Sequence, residues 1–230
     1  MSEGFTFKRF TVNHGKCAMK VGTDGVLLGA WAAGGRRILD VGTGSGLIAL
    51  MMAQRFTDAG VTAIDIEPGA CIQARENVAA SPFADRIKVV ETALQDFRDV
   101  EYDAIVCNPP FYSDTLKSKT AERTMARSAE TLPFANLFRH AARLLADGGV
   151  FSVVIPAGFR REFDAEAAFS GLHPLRACSV KTVPRKAASR CLLAYGKRPA
   201  GRVEEDEVCL NNADMTRSPW YSSLTEDFYL

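Results

Sequence analysis

The residues best placed to do chemistry are Asn108-Pro109-Pro110-Phe111, directly after the apolar run Tyr102–Cys107. Two consecutive prolines fix φ twice and remove two N–H donors, and they push Asn108 into an extended conformation. The Asn108 amide is thereby held to a narrow range of directions. An amide acceptor, the carbonyl of Pro109 and the flat face of Phe111 suit one kind of ligand, a planar group carrying an NH₂. A strand-ending turn in which Asn caps the loop fits the same four residues. The rest of the chain has to separate the two.

A second constellation is Asp40-Val41-Gly42-Thr43-Gly44-Ser45-Gly46. Glycines let a backbone pass close to a ligand and adopt positive φ. A dinucleotide fold wants Gly-x-Gly-x-x-Gly, with a pyrophosphate at the helix N-terminus. Here Leu47 occupies the third position of that pattern and the glycines fall at 42, 44 and 46, which argues against NAD or FAD. Asp40 would repel a pyrophosphate and could receive an ammonium group. S-adenosylmethionine carries an ammonium and no phosphate. Asp65, about twenty residues on, can accept both hydroxyls of a ribose.

These groups need elements to hold them. Arg37–Val41, Val61–Ile66, Ile87–Val90, Tyr102–Cys107 and Val150–Ile155 read as strands. Leu47–Arg55, Pro68 to about Ala80, Phe134–Leu145 and Arg160–Phe169 read as helices between or after them. That alternation implies an α/β fold, a parallel sheet covered on both faces. Ligand sites in such sheets lie at the carboxyl ends of the strands, where Asp40, Asp65 and Asn108 fall. Leu175–Val183 and Ser189–Tyr195 read as a terminal strand pair. Residues 4–22 alternate apolar and polar positions and suggest a hairpin or arm turning at Asn13-His14-Gly15. A helix follows, with Asp24 as its N-cap. Residues 199–221 are polar and weakly patterned, while Leu224–Leu230 is expected to dock because its aromatics would be costly in water. The implied division is an N-terminal arm and helix over 1–35, a core domain over 36–198 and a docked extension over 199–230.

The 230 residues are 47% hydrophobic and 24% charged, with a net charge of +1, ordinary values for a globular chain. Charge is unevenly spread. Between Gly171 and Arg202 there are eight basic residues and no acidic one, followed at once by Glu204-Glu205-Asp206-Glu207. Such a cluster is compatible with a surface that follows a phosphate backbone. Six dispersed cysteines without a Cys-x-x-Cys and three isolated histidines suggest reduced thiols, no metal site and a cytoplasmic location. The N-terminus lacks the features of a signal peptide, and no apolar run approaches the roughly 18 residues of a membrane span.

Asp40 to Gly46, Asp65 and Asn108 to Phe111 together resemble the class I methyltransferases that act on amino groups. Phe5-Thr6-Phe7-Lys8-Arg9-Phe10-Thr11-Val12, the stretch Cys17 to Trp31, Ala126-Arg127 and the ending Leu224–Leu230 are similar to the bacterial valine-tRNA adenine-N6-methyltransferases. The resemblance implies a Rossmann-like, seven-stranded, mostly parallel methyltransferase sheet with a short N-terminal arm. It also implies S-adenosylmethionine as cofactor, tRNA as partner and no obligate protein partner. Asp40, Gly42, Thr43, Gly44 and Gly46 would border the methionine part of the cofactor, with Lys20, Thr23 and Asp24 covering it. Asp65 would take the ribose, with Ile66 beside it. Leu94 would lie against the cofactor adenine. Relatives often carry an acid where this chain has Ala93, a role open to Gln95 or Asp96.

Asn108, which would also border the cofactor, and the Pro109 carbonyl would accept the two N6 protons of an adenine beside the sulfonium, and Phe111 would stack on the base. An adenosine 3′ of the anticodon is already largely unpaired, which lowers the cost of flipping it. Lys8, Arg9, Lys117, Lys119, Arg123, Arg127, Arg185, Lys186 and Arg190 are the candidate phosphate contacts. Residues 112–124 lack periodicity and suggest a loop that orders on substrate. The main alternative is a protein glutamine N5-methyltransferase, which shares the Asn-Pro-Pro motif but usually has Tyr at the position of Phe111 and an N-terminal helical domain. An inactive tRNA-binding scaffold and an NAD oxidoreductase are more distant rivals.

Overall fold

The computed structural model describes residues 4–17, 19–110 and 133–230. Strands β1 (Gly4–Thr6) and β2 (Thr11–Asn13) form an antiparallel hairpin. Helix α1 (Thr23–Trp31) leads into β3 (Arg37–Val41), α2 (Leu47–Arg55), β4 (Gly60–Asp65), α3 (Pro68–Ala79), β5 (Ile87–Glu91) and β6 (Tyr102–Cys107). After the undescribed stretch come α4 (Phe134–Leu144), β7 (Leu145–Pro156), α5 (Arg160–Phe169), β8 (His173–Lys181), β9 (Arg190–Gly196), β10 (Glu204–Cys209) and α6 (Pro219–Thr225).

The sheet order is β10-β8-β9-β7-β6-β3-β4-β5. Strands β3 to β7 run parallel; β9 is antiparallel to both β7 and β8, and β10 is parallel to β8. Side chains alternate across the central strands, as a pleat with period two demands. Ile38, Ala104, Val106, Leu192 and Ala194 pack in one core with α1, α2, the hairpin and Phe228. Leu39, Val41, Ile105, Cys107, Leu193 and Tyr195 pack in the other with α4 and α5. Both faces are therefore covered, which is why these strands read as nearly continuous apolar runs.

Three details differ from the sequence reading. The sheet has eight strands rather than seven, because the acidic run Glu204–Cys209 pairs with β8. An edge strand needs a partner on one side only, and charged side chains protect its free side, so it carries no apolar alternation to betray it. The hairpin turns at Lys8-Arg9, closed by Phe7 N–H donating to Phe10 O at 2.8 Å, and not at Asn13-His14-Gly15. Phe7 and Phe10 stack at 4.8 Å and are both buried, so the core selects that turn. Asp24 does not cap α1: Gly22 is the N-cap, without a side-chain bond, and the Asp24 carboxylate is held by Arg190.

Candidate active site

The register of the central strands sets the geometry. Val41 on β3 lies opposite Ile64 on β4 and Cys107 on β6. Gly42, Asp65 and Asn108 are thus the next residues outward on three neighbouring strands. At about 4.8 Å per strand, about 10 Å separates the ends of β6 and β4. The turn between β3 and α2 leans toward β4, since the Gly42 and Thr43 N–H groups both donate to Ile64 O, at 2.9 and 3.0 Å.

Gly42, Gly44 and Gly46 have φ of 68°, 54° and 82°, in the left-handed region that other residues avoid. Around Gly42 and Gly44 an added Cβ would meet nothing within 4 Å, so their backbone borders open space. Asp65 braces the turn: Oδ2 accepts from Gly44 N–H at 2.8 Å and Oδ1 from Glu67 N–H at 3.0 Å. Each oxygen keeps a further lone pair for a hydroxyl. Beyond β5, Thr92 N–H donates to Asp65 O at 2.8 Å and brings buried Leu94 to the same edge. Exposed Ile66 also lies there. Gln95 is half-buried and Asp96 exposed in the same segment.

Asp40 is completely buried. Its Oδ2 accepts from Thr43 Oγ1 at 2.6 Å and from Ala49 N–H at 3.1 Å, tying β3, the turn and the first turn of α2 together. Oδ1 has no partner among the described residues. Burial pushes its carboxyl up to about 7, against the lowering pull of Thr43 and Ala49. One oxygen of Asp40 thus serves the turn itself, and the unsatisfied one is what remains for a donor. A buried acceptor without a donor, an open glycine edge and a strand-end carboxylate with spare lone pairs fit an ammonium and a vicinal diol. A carboxylate beside the turn does not fit a phosphate.

Asn108 is half-buried, Pro109 buried and Pro110 half-buried. Among the described residues nothing hydrogen-bonds the Asn108 amide. Phe111, Lys117, Lys119, Arg123 and Arg127, and the segment 112–124, lie outside the described residues. Lys20 and Thr23 are exposed just before and at the start of α1, and Asp24 is half-buried. Arg185 and Lys186 are exposed on the connection from β8 to β9. Because Arg190 opens β9 opposite Pro156 at the end of β7, this connection shares the edge with Asn108.

Lys8 and Arg9 are not brought there. Together with Gln54, Arg55, Phe56 and Asp227 they line a cavity of about 540 Å³ at the far end of α2. A nine-residue helix places that end about 13 Å from the glycine turn.

The residues that sequence reasoning missed are Asn77 and Gln73, both buried on α3. Asn77 Nδ2 donates to Ser45 O and to Asn13 O, each at 2.8 Å, and its Oδ1 accepts from Asn13 N–H at 3.0 Å. Gln73 Oε1 accepts from Lys16 N–H at 3.2 Å. Two amides four residues apart on the face carrying Ala70, Ala74 and Val78 were the available signal. Among the described residues no cluster of His, Cys, Asp and Glu could hold a metal ion, and no helix is long and apolar enough to cross a membrane.

The family model described as methyltransferase small domain matches residues 21–176. The chain is 45% identical over 231 residues to the tRNA1(Val) (adenine(37)-N6)-methyltransferase of Parabacteroides distasonis, covering 98% of this chain and 97% of that one. It is 43% identical over 232 residues to the protein of the same name in Aeromonas hydrophila, covering 100% and 98%. Its fold is similar to a structure from Agrobacterium tumefaciens described as a predicted O-methyltransferase, with a TM-score of 0.70, 21% identity and coverage of 89% of this chain and 96% of that one. A TehB-like SAM-dependent methyltransferase from Corynebacterium glutamicum is similar at a TM-score of 0.52 and 18% identity, covering 77% and 89%.

Proposed function

The chain belongs to the methyltransferase small-domain family and, within it, to the tRNA1(Val) (adenine(37)-N6)-methyltransferases, and from that premise we propose that it methylates N6 of the adenosine 3′ of the anticodon in a valine tRNA. The observation that carries the reading is the register that sets the Asn108 amide and Asp65 on either side of the glycine turn. S-adenosylmethionine, when bound, supplies an electrophilic methyl group on a sulfonium sulfur. Asp65 would hold the ribose diol, Leu94 and Ile66 the adenine, and the Gly42–Gly46 turn with Asp40 Oδ1 the methionine end.

The chain's own part in the reaction is positioning. The N6 lone pair of adenine is conjugated into the ring and is a poor nucleophile. Asn108 Oδ1 and the Pro109 carbonyl would accept the two N6 protons and favour a pyramidal nitrogen with its lone pair turned toward the methyl. The new N–C bond would replace the donor's S–C bond, with a neutral thioether as the leaving group. The methylated nitrogen is then acidic and releases one proton to water, so no strong base is needed. Orientation of this kind supplies most of the rate in a bimolecular transfer. A stacking role for Phe111 on the base would complete the clamp, and the Arg185–Lys186 connection would meet the backbone of the anticodon arm. The protein acts in the cytoplasm without an obligate protein partner; six free cysteines suit that compartment.

The test is incubation with methyl-labelled S-adenosylmethionine and total tRNA, followed by nucleoside analysis. Label is expected in N6-methyladenosine from the valine tRNA. Label in protein glutamine instead would overturn the substrate and favour the amide methyltransferases that share the Asn-Pro-Pro motif.

A further inference from the structure

The cation that opens β9 is engaged differently from its neighbours. Arg185 and Lys186 are exposed and have no ion-pair partner among the described residues. Arg190 donates from Nε to Asp24 Oδ2 at 2.8 Å and from a terminal nitrogen to Ser189 O at 3.0 Å. The ion pair joins residues 166 positions apart, and the side chains of Arg190 and Asp24 remain 39% and 35% exposed.

What the pair holds is the first turn of α1. Gly22 offers that helix no side-chain cap. On its other side α1 lies close on α2, where a Cβ at Gly25 would meet Leu47 Cδ2 at 3.0 Å. Leu47 directly follows Gly46 of the glycine turn. The first turn of α1 is therefore gripped between the start of α2 and the start of β9. Upstream, the chain is pinned at Asn13 and Lys16 by Asn77 and Gln73, and Asn77 also holds Ser45 of the same turn. Between these two anchorages, Met19 and Lys20 are exposed.

We propose that Arg190 is a positioning residue for the cofactor and not a phosphate contact: through Asp24 it fixes the segment 19–24 beside the glycine turn. The inference rests on the cofactor reading above, and it assigns Asp24 the same indirect role. Removing either partner frees the first turn of α1, so cofactor affinity falls while RNA affinity in the absence of cofactor stays.

The test is calorimetric titration of S-adenosylmethionine and of its demethylated product into wild type, Arg190→Gln, Asp24→Asn and the double variant. It is accompanied by tRNA binding without cofactor and by amide hydrogen exchange over residues 19–26 in the free protein. Each single variant is expected to bind cofactor about three- to fivefold more weakly, the upper range for a part-exposed ion pair. The double variant should be no worse than either single one. Exchange over 19–26 should quicken in all three, and the charge swap Asp24→Arg with Arg190→Asp should restore part of the affinity. An Arg190→Gln protein that binds tRNA more weakly but S-adenosylmethionine normally would overturn the proposal. So would unchanged exchange with cofactor affinity within twofold of wild type. A wild-type protein that binds no S-adenosylmethionine would refute the cofactor reading instead, a result these outcomes do not imitate.

Discussion

The two ends of the sheet use basic residues for different work. At the end remote from the glycine turn, cations are spent on backbone carbonyls. Arg55 donates to Gly29 O at 2.9 Å and Ala32 O at 2.7 Å, and Arg176 to Trp31 O at 2.8 Å, all at the end of α1. Arg86 donates to Ala53 O at 2.8 Å in the last turn of α2 and to Phe56 O and Ala59 O at 3.1 Å just past it. Lys8 donates to Glu226 O at 2.5 Å, at the end of α6. Three helices point their negative ends into one corner, and cations there satisfy orphan carbonyls and oppose the macrodipoles. At the other end, Arg185 and Lys186 are exposed and hold nothing comparable among the described residues. Basic character alone therefore identifies no RNA surface here. What each N–H holds distinguishes a helix cap from a cation free to meet phosphate.

The comparison breaks most visibly at the site end. Replacing Asn108 by Ala should lower the single-turnover methylation rate on the order of 100- to 1,000-fold, the usual loss when one preorganised hydrogen-bond partner of a reacting group is removed. Cofactor affinity, read by calorimetry, should stay within about twofold, because Asn108 is assigned to the adenine amine. Near-normal rates would sink the clamp.

Asp40 gives the next largest effect. Its carboxyl is raised to about 7 from an ordinary 3.8, chiefly by burial. In the free protein between those values, the folded chain keeps a proton that the unfolded chain has lost. The stabilisation is complete below the unfolded value and is lost as pH rises through about 7. Asp40→Asn mimics the protonated acid and removes that dependence. Going from pH 5 to pH 8, the variant should gain about 2–3 kcal/mol on wild type in denaturant melts without cofactor. Parallel pH profiles would show that Asp40 is already ionised in the fold.

At the opposite corner, Arg55→Ala should act on stability alone. It removes charged hydrogen bonds to Gly29 and Ala32, which costs about 2 kcal/mol, and for a chain this long about 4–8 °C in Tm. Methylation per folded molecule at 25 °C should be unchanged. A rise in KM for tRNA would mean that this corner also meets RNA.

Much of this division is legible in the sequence, and the misses have physical causes. The βα alternation and the spacing of Gly42, Gly44 and Gly46 survive translation into structure because buried parallel strands and left-handed φ leave few residue choices. β10 escapes sequence reading because an edge strand of Glu204-Glu205-Asp206-Glu207 has no apolar face of its own. The turn at Lys8-Arg9 is decided by where Phe7 and Phe10 can be buried together, a tertiary fact. Asp24 reads as a cap because Asp near a helix start usually is one; its partner Arg190 is remote in sequence and near only once β9 has folded back along β7. The placement of Lys8 and Arg9 is hidden for the same reason, since the carbonyl of Glu226 that Lys8 meets and the Phe83 ring that Arg9 lies over come from distant segments.

The smallest effect sharpens the contrast between the two ends. Arg185→Ala with Lys186→Ala should raise KM for tRNA about three- to tenfold at physiological salt and leave kcat and cofactor affinity alone. The dependence of log affinity on log salt should become shallower by about 0.7–0.9 for each phosphate that is no longer neutralised. Arg9→Ala makes the matched control: its guanidinium lies 5.3 Å from the Phe83 ring in the far corner. If Arg9→Ala lowers the salt slope as much as the pair does, the RNA reaches both ends of the sheet. If only the pair moves it, the substrate is confined to the edge where β6, β7 and β9 meet, and the strand register that sets Asn108 beside the glycine turn also sets the direction from which tRNA approaches.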